Sequence, residues 1–111
     1  KAVPYCDRCA KYFSEKRRRL TRWKDVDAMR QCYDALAKLM NEGQLQPAID
    51  QFSTVGEKAK FRVKGMLSME LRKCPDCENR RLKLLAQQRR GNQWPEIGKV
   101  IIPSEQPLRM G

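Results

Sequence analysis

There is no histidine among the 111 residues. That removes the commonest general base and every serine–histidine or cysteine–histidine nucleophile pair. It also leaves zinc no mixed cysteine–histidine ligand set. Long apolar runs are missing too: stretches such as Val100-Ile101-Ile102 are as long as they get, against the roughly 20 residues of a membrane-spanning helix. No apolar segment follows the basic start, as a secretory signal would require. Aromatic residues make up only 7% of the chain and the mean hydropathy is −0.77. A chain of this size holds one modest domain, and so thin a core calls for a further source of stability, a metal or a disulfide.

Cysteine is what is present instead. Cys6 and Cys9 lie in "YCDRCAKYF", Cys74 and Cys77 in "KCPDCENRR", and Cys32 stands alone in the long stretch between the two pairs. An odd number argues against a full disulfide framework, and two Cys-x-x-Cys pairs suit a reducing compartment better. A Cys-x-x-Cys turn aims both sulfurs at one point, so two turns supply four thiolates at tetrahedral angles, which suits a single Zn²⁺. Such an ion ties distant segments of a small domain together and holds the fold rather than doing chemistry. The rival reading is redox: Cys74-Pro75-Asp76-Cys77 matches the C-P-x-C of glutaredoxin-like enzymes. That chemistry needs the first thiol at a helix N-terminus early in a βαβ fold, and the stretch from Glu78 to Gly111 is short for the rest of one. Cys32 falls on an apolar helical stripe and reads as a small packed hydrophobe.

Charge divides the chain into three. Residues 1–24 carry net +7, residues 25–57 net −4 and residues 58–111 net +8, making up the total of +11. An acidic middle is inserted between two basic flanks, each holding one cysteine pair. The expected organisation is a single domain over 1–111, with ribbon halves 1–24 and 58–103, a helical insert 25–57 and a loose tail 104–111.

In the insert, Asp25 is a good N-cap with Asp27 in the first turn. Met29, Cys32, Tyr33, Leu36, Leu39 and Met40 recur at three- and four-residue spacing, and Asn41-Glu42-Gly43 stops the helix. A second helix is expected from near Pro47, carrying Ala48, Ile49 and Phe52 and ending by Gly56. From Phe61 to Leu71 the period changes to two, with Val63, Gly65, Leu67 and Met69 alternating with Arg62, Lys64, Met66 and Ser68, as in a half-buried strand. Residues 80–90 read as strand from Leu82, Leu84 and Ala86, although their composition favours helix. Arg90-Gly91-Asn92 is the expected hairpin turn, with a returning strand over 94–102. Residues 11–14 and 19–23 are expected to pair across 15–18. The fold class is therefore α+β: a small antiparallel zinc-ribbon-like sheet with a two-helix insertion between the cysteine knuckles.

The pattern P-Y-C-D-R-C, then a helical stretch ending Asn-Glu-Gly, then a strand leading into K-C-P-D-C, resembles the split zinc-ribbon domains of uncharacterised bacterial membrane proteins. The resemblance covers about residues 4–102. It implies one structural zinc on Cys6, Cys9, Cys74 and Cys77. It also implies a cytoplasmic module, part of a larger membrane-anchored protein, with no known activity. The high charge and Cys32 are not part of that pattern.

No small-molecule substrate and no enzymatic constellation is evident. The expected function is a non-enzymatic zinc-binding interaction module. A basic zinc-ribbon module that binds nucleic acid is the first alternative, and a thiol–disulfide protein using Cys74 and Cys77 the second. The basic run invites a polyanion, either nucleic acid or lipid headgroups, through Lys16, Arg17, Arg18, Arg19, Arg62, Lys64, Arg72 and Lys83. Blander uses of the same charge are compensation of a Zn(Cys)₄ centre of net −2 by Arg8, Lys11, Arg72, Lys73 and Arg80, contact with the acidic helices, and the lysine and arginine excess of membrane-adjacent segments.

Overall fold

The computed structural model describes residues 5–6, 11–12, 15–55, 61–73, 80–105 and 108–109; for residues 5, 6, 11, 12, 15 and 16 it describes the backbone alone. Two short strands, β1 (Tyr5–Cys6) and β2 (Lys11–Tyr12), pair antiparallel with each other. Then come β3 (Glu15–Trp23), helices α1 (Val26–Asn41) and α2 (Leu45–Ser53), and β4 (Gly65–Lys73), β5 (Arg80–Gln88) and β6 (Glu96–Ser104). Strands β3 to β6 form one antiparallel sheet in chain order. The fold is α+β, with the two helices inserted between the first and second strands of a four-stranded meander.

The helices form where local chemistry asks for them. The Asp25 carboxylate accepts from the Asp27 and Ala28 amides at 3.0 and 3.3 Å, so two of the amides left without partners at the start of α1 are satisfied. Gly43, at φ 81°, ends the run, a conformation glycine adopts without steric cost. Helix α2 begins two residues before Pro47, which still falls in the first turn, where a missing N–H costs nothing. Met29, Leu36 and Met40 of α1 and Leu45, Ala48, Ile49 and Phe52 of α2 are buried, and they meet Leu67, Met69 and Leu71 of β4 and Leu82, Leu84 and Ala86 of β5 in one core.

Register explains the sheet. Across β3, β4, β5 and β6 one face carries the rows Thr21/Leu67/Ala86/Gly98, Arg19/Met69/Leu84/Val100 and Arg17/Leu71/Leu82/Ile102. Both helices cover this face. Helix α1 lies so close that a Cβ on Gly65 would sit 2.6 Å from the Met29 sulfur, and one on Gly98 would sit 2.7 Å from the Tyr33 ring. At its edge the Trp23 indole donates to the Thr21 hydroxyl (2.8 Å), which donates to the Leu67 carbonyl (3.1 Å), so these buried polar groups are paired.

Several expectations change. Residues 15–18 are not a turn: β3 runs unbroken from Glu15 to Trp23, because each residue is matched by one of β4. Lys11 and Tyr12 pair with Cys6 and Tyr5 instead. The period-two pattern from Phe61 outruns its strand, since Arg62 adopts φ 57°, a left-handed turn incompatible with extended backbone. Phe61 is 77% exposed and lies outside the sheet. Residues 80–88 are strand, as expected. The Gly91-Asn92 turn is closed by reciprocal Arg90–Gln93 hydrogen bonds, both 2.9 Å. Strand β6 begins two residues later than expected, with Ile97 as the extra residue of a bulge opposite Ala86 and Gln87. In the segment expected to be a loose tail, Ser104 belongs to β6. Leu108 joins the core, and Gln46 both accepts from the Arg109 amide (2.8 Å) and donates to its carbonyl (3.0 Å).

Candidate metal centre and basic face

Cys9, Cys74 and Cys77 lie outside the described residues, and Cys6 is described only as the last residue of β1, opposite Lys11. Among the described residues no group of three or more Cys, Asp or Glu could hold a metal ion. The described backbone around the cysteine pairs is nevertheless specific. Cys74 directly follows Lys73, whose register partner on one side is Glu15 and on the other Arg80. Glu15 in turn is three residues past the end of the β1–β2 hairpin. Three residues of chain span at most about 11 Å, and paired strands lie about 5 Å apart. The start of β3, the end of β4 and the start of β5 thus lie together at one end of the sheet, with the end of the β1–β2 hairpin within that reach of Glu15.

Cys32 is free, half-buried and packed against the core. Burial pushes its thiol above the ordinary value, which keeps it neutral and unreactive at neutral pH. Burial, together with Asp34, likewise raises the Tyr33 phenol.

The basic residues singled out in the sequence separate into three places. Strand alternation sends Arg18 to the face opposite the helices, together with Arg72 and Lys83, and Lys16 takes the register position beside Arg72. Arg17 and Arg19 fall on the helix-side face with Thr21 and Trp23, and both stay exposed. Arg62 and Lys64 are not on a strand at all. They line an open groove of about 400 Å³ with Val26, Val63, Gln88 and Arg89, at the end of the sheet away from Lys73.

No described element covers the face that carries Arg18. Its rows read Lys16/Arg72/Arg81/Pro103, Arg18/Glu70/Lys83/Ile101, Leu20/Ser68/Leu85/Lys99 and Arg22/Met66/Gln87/Glu96. The Arg72 guanidinium donates to Glu70 at 2.8 Å, and Lys99 stands 3.9 Å from Glu96. Lys99 was not among the expected residues. Its signal was the alternation of β6, which became usable only with the register past the bulge. Leu20 and Ile101 are 37% and 40% exposed on this face.

No described helix is long and apolar enough to cross a membrane. No family model, curated protein or solved structure matches the chain.

Proposed function

We propose that this chain is a non-enzymatic interaction module organised by one structural zinc ion on Cys6, Cys9, Cys74 and Cys77, in the manner of a split zinc ribbon. The observation that carries the reading is the pairing of Glu15 with Lys73 and of Lys73 with Arg80. The sequence sets the two cysteine pairs on opposite sides of the helical insert, with Cys74 next to Lys73 and Cys9 six residues before Glu15, so this pairing supports a reading in which both pairs serve one ion. A two-stranded hairpin as short as β1–β2 is marginal by itself, and four thiolates on one ion would tether it to β4 and β5. The redox alternative has less support. Cys74 and Cys77 lie between two directly paired strands, whereas an activated thiol of that class needs a helix start. A cytoplasmic setting and a membrane-anchored parent belong to the same proposal and follow from four reduced thiols and from the resemblance.

Metal analysis of protein produced in zinc-containing medium tests it. The expected content is about one zinc per chain, falling to near zero when Cys74 and Cys77 are replaced by serine and unchanged in Cys32→Ala. Well-folded protein with no zinc, or a Cys74–Cys77 disulfide in reducing cytoplasm, sinks the reading.

A further inference from the structure

The two edges of the sheet differ in kind. Strand β3 bears five cations in nine residues, and charge of one sign along an edge discourages another strand from pairing with it. Strand β6 is the other edge, and among the described residues no strand pairs with its outer side. It holds Ile97, Val100, Ile101 and Ile102, with Lys99 as its one cation, and none of its residues is fully buried. The common safeguards of an edge sit only at its ends, in the bulge at Ile97 and in Pro103. Between them, Gly98 to Ile102 pairs with β5 residue for residue.

Backbone direction shows what this window offers. The Arg89 amide donates to the Lys64 carbonyl on the β4 side (2.8 Å), and the Gln88 amide to the Pro95 carbonyl on the β6 side (3.2 Å). Successive residues of a central antiparallel strand bond to opposite neighbours, so Leu84 and Leu82 bond to Val100 and Ile102, their register partners. Lys99 and Ile101 therefore turn their N–H and C=O groups outward. Pro103 occupies an outward position too, where a missing N–H costs no ladder bond. A second β6, antiparallel and related by a two-fold axis at Val100, the centre of the window, fits these groups. Each Lys99 then exchanges both hydrogen bonds with Ile101 of the second copy. The two Val100 side chains meet across the axis, and Ile102 lies opposite Gly98, beside the Tyr33 ring that covers that glycine. An axis at Lys99 would set two ammonium groups side by side, and an axis at Ile101 would set Lys99 against Pro103, which has no N–H to give. We infer that β6 pairs with β6 of a second copy, joining two four-stranded sheets into one continuous sheet with all the helices on the same face. The edges left free are two charged β3 strands, so assembly closes at the dimer.

The inference does not rest on the metal reading, since β6 holds no cysteine. So short a window buries less than the roughly 1,200 Å² of a standard interface, and the dimer should be weak, with a dissociation constant in the micromolar range. The test is analytical ultracentrifugation of the full chain in reducing buffer, over a concentration series at low and high salt, with zinc content recorded. A concentration-dependent dimer is expected. Each copy carries net +11, so salt should tighten the dimer by screening that repulsion. Ile101→Pro removes an outward amide and no bond to β5, and should abolish dimerisation while the circular dichroism of the fold persists. If proline disturbs the strand, Ile101→Glu and Ile101→Lys carry the test. The first sets a carboxylate against Lys99 of the second copy and the second an ammonium, so the lysine variant should dimerise about tenfold more weakly. Oxidised Val100→Cys should form a disulfide joining position 100 of the two copies, identified by peptide mass mapping. Equal dimer affinities of the glutamate and lysine variants would overturn the inference. So would species that grow beyond the dimer, or an association that salt dissolves, the mark of acidic helices meeting the basic sheet of another copy. A chain that holds zinc and stays monomeric at high concentration would overturn this inference and leave the metal reading standing.

Discussion

Tyr33 rests on Gly98 and Met29 on Gly65, and these two contacts fix how near α1 comes to the sheet. They are not equivalent. The atom nearest Gly65 is the far end of a flexible thioether, which can move aside, whereas a rigid aromatic plate lies over Gly98 and has to swing away as a unit. Gly98→Ala is expected to cost about 1–3 kcal/mol and Gly65→Ala less, read as shifts in the urea midpoint; the reverse order would show that the ring yields more easily than the core methionine. Cys32 adds a pH dependence of known sign. Its folded-state thiol is raised by burial, so its contribution is complete below the ordinary thiol value and is lost as pH rises through the folded one. Tyr33, raised too, acts in the same direction at higher pH. The alkaline fall in stability should therefore begin later in Cys32→Ala, which should cost about 1 kcal/mol at neutral pH from lost packing. An identical alkaline profile in the two proteins would remove Cys32 from that account.

Among the elements, α1 depends most visibly on a single residue. Asp25→Ala leaves the Asp27 and Ala28 amides without their partner and should lower stability by about 1 kcal/mol, seen as a lower urea midpoint with an unchanged slope; no change would mean that another group caps the helix. The same locality made α1 readable in the sequence, because its cap, its stripe from Met29 to Met40 and its stop all lie within a few turns. Strand β5 was readable from Leu82, Leu84 and Ala86, although its composition pointed the other way. Strand β3 was not. EKRRRLTRW carries no alternation of its own, and its conformation is imposed by β4, which lies beyond both helices in the chain. The start of β4 was misplaced because a period-two pattern continues through residues whose backbone turns at Arg62. The cysteines were legible as chemistry from their spacing alone. The basic run was legible only as charge, since which arginine belongs to which face depends on a register that no local signal contains.

At the scale of the molecule, the described core is built where the helices meet Leu67, Met69, Leu71, Leu82, Leu84 and Ala86 of the sheet. Removal of the proposed zinc, held at the cysteines and not by these residues, should act unevenly. With a chelator, the thermal midpoint should drop by an amount corresponding to several kcal/mol, and amide exchange should quicken first in β3 near Glu15. Much of the helical signal should survive, because α1 and α2 keep Leu67, Met69, Leu82 and Leu84 as partners. Equal midpoints with and without chelator would remove the structural role of the ion. The insertion of both helices after β3 also has a temporal side. Strand β5 follows β4 and precedes β6 directly, so its pairings close short connections. Strand β3 must instead close a loop that contains both helices before it meets β4. Short loops close at a lower entropic cost than long ones, so the hairpins of β4, β5 and β6 form early and β3 adds to a sheet already in place. Synthesis runs the other way: β3 leaves the ribosome first and reaches its partner last. Throughout that interval its five cations keep it from pairing with the same strand of another nascent chain, so the charge that marks the finished surface also guards the unfinished one.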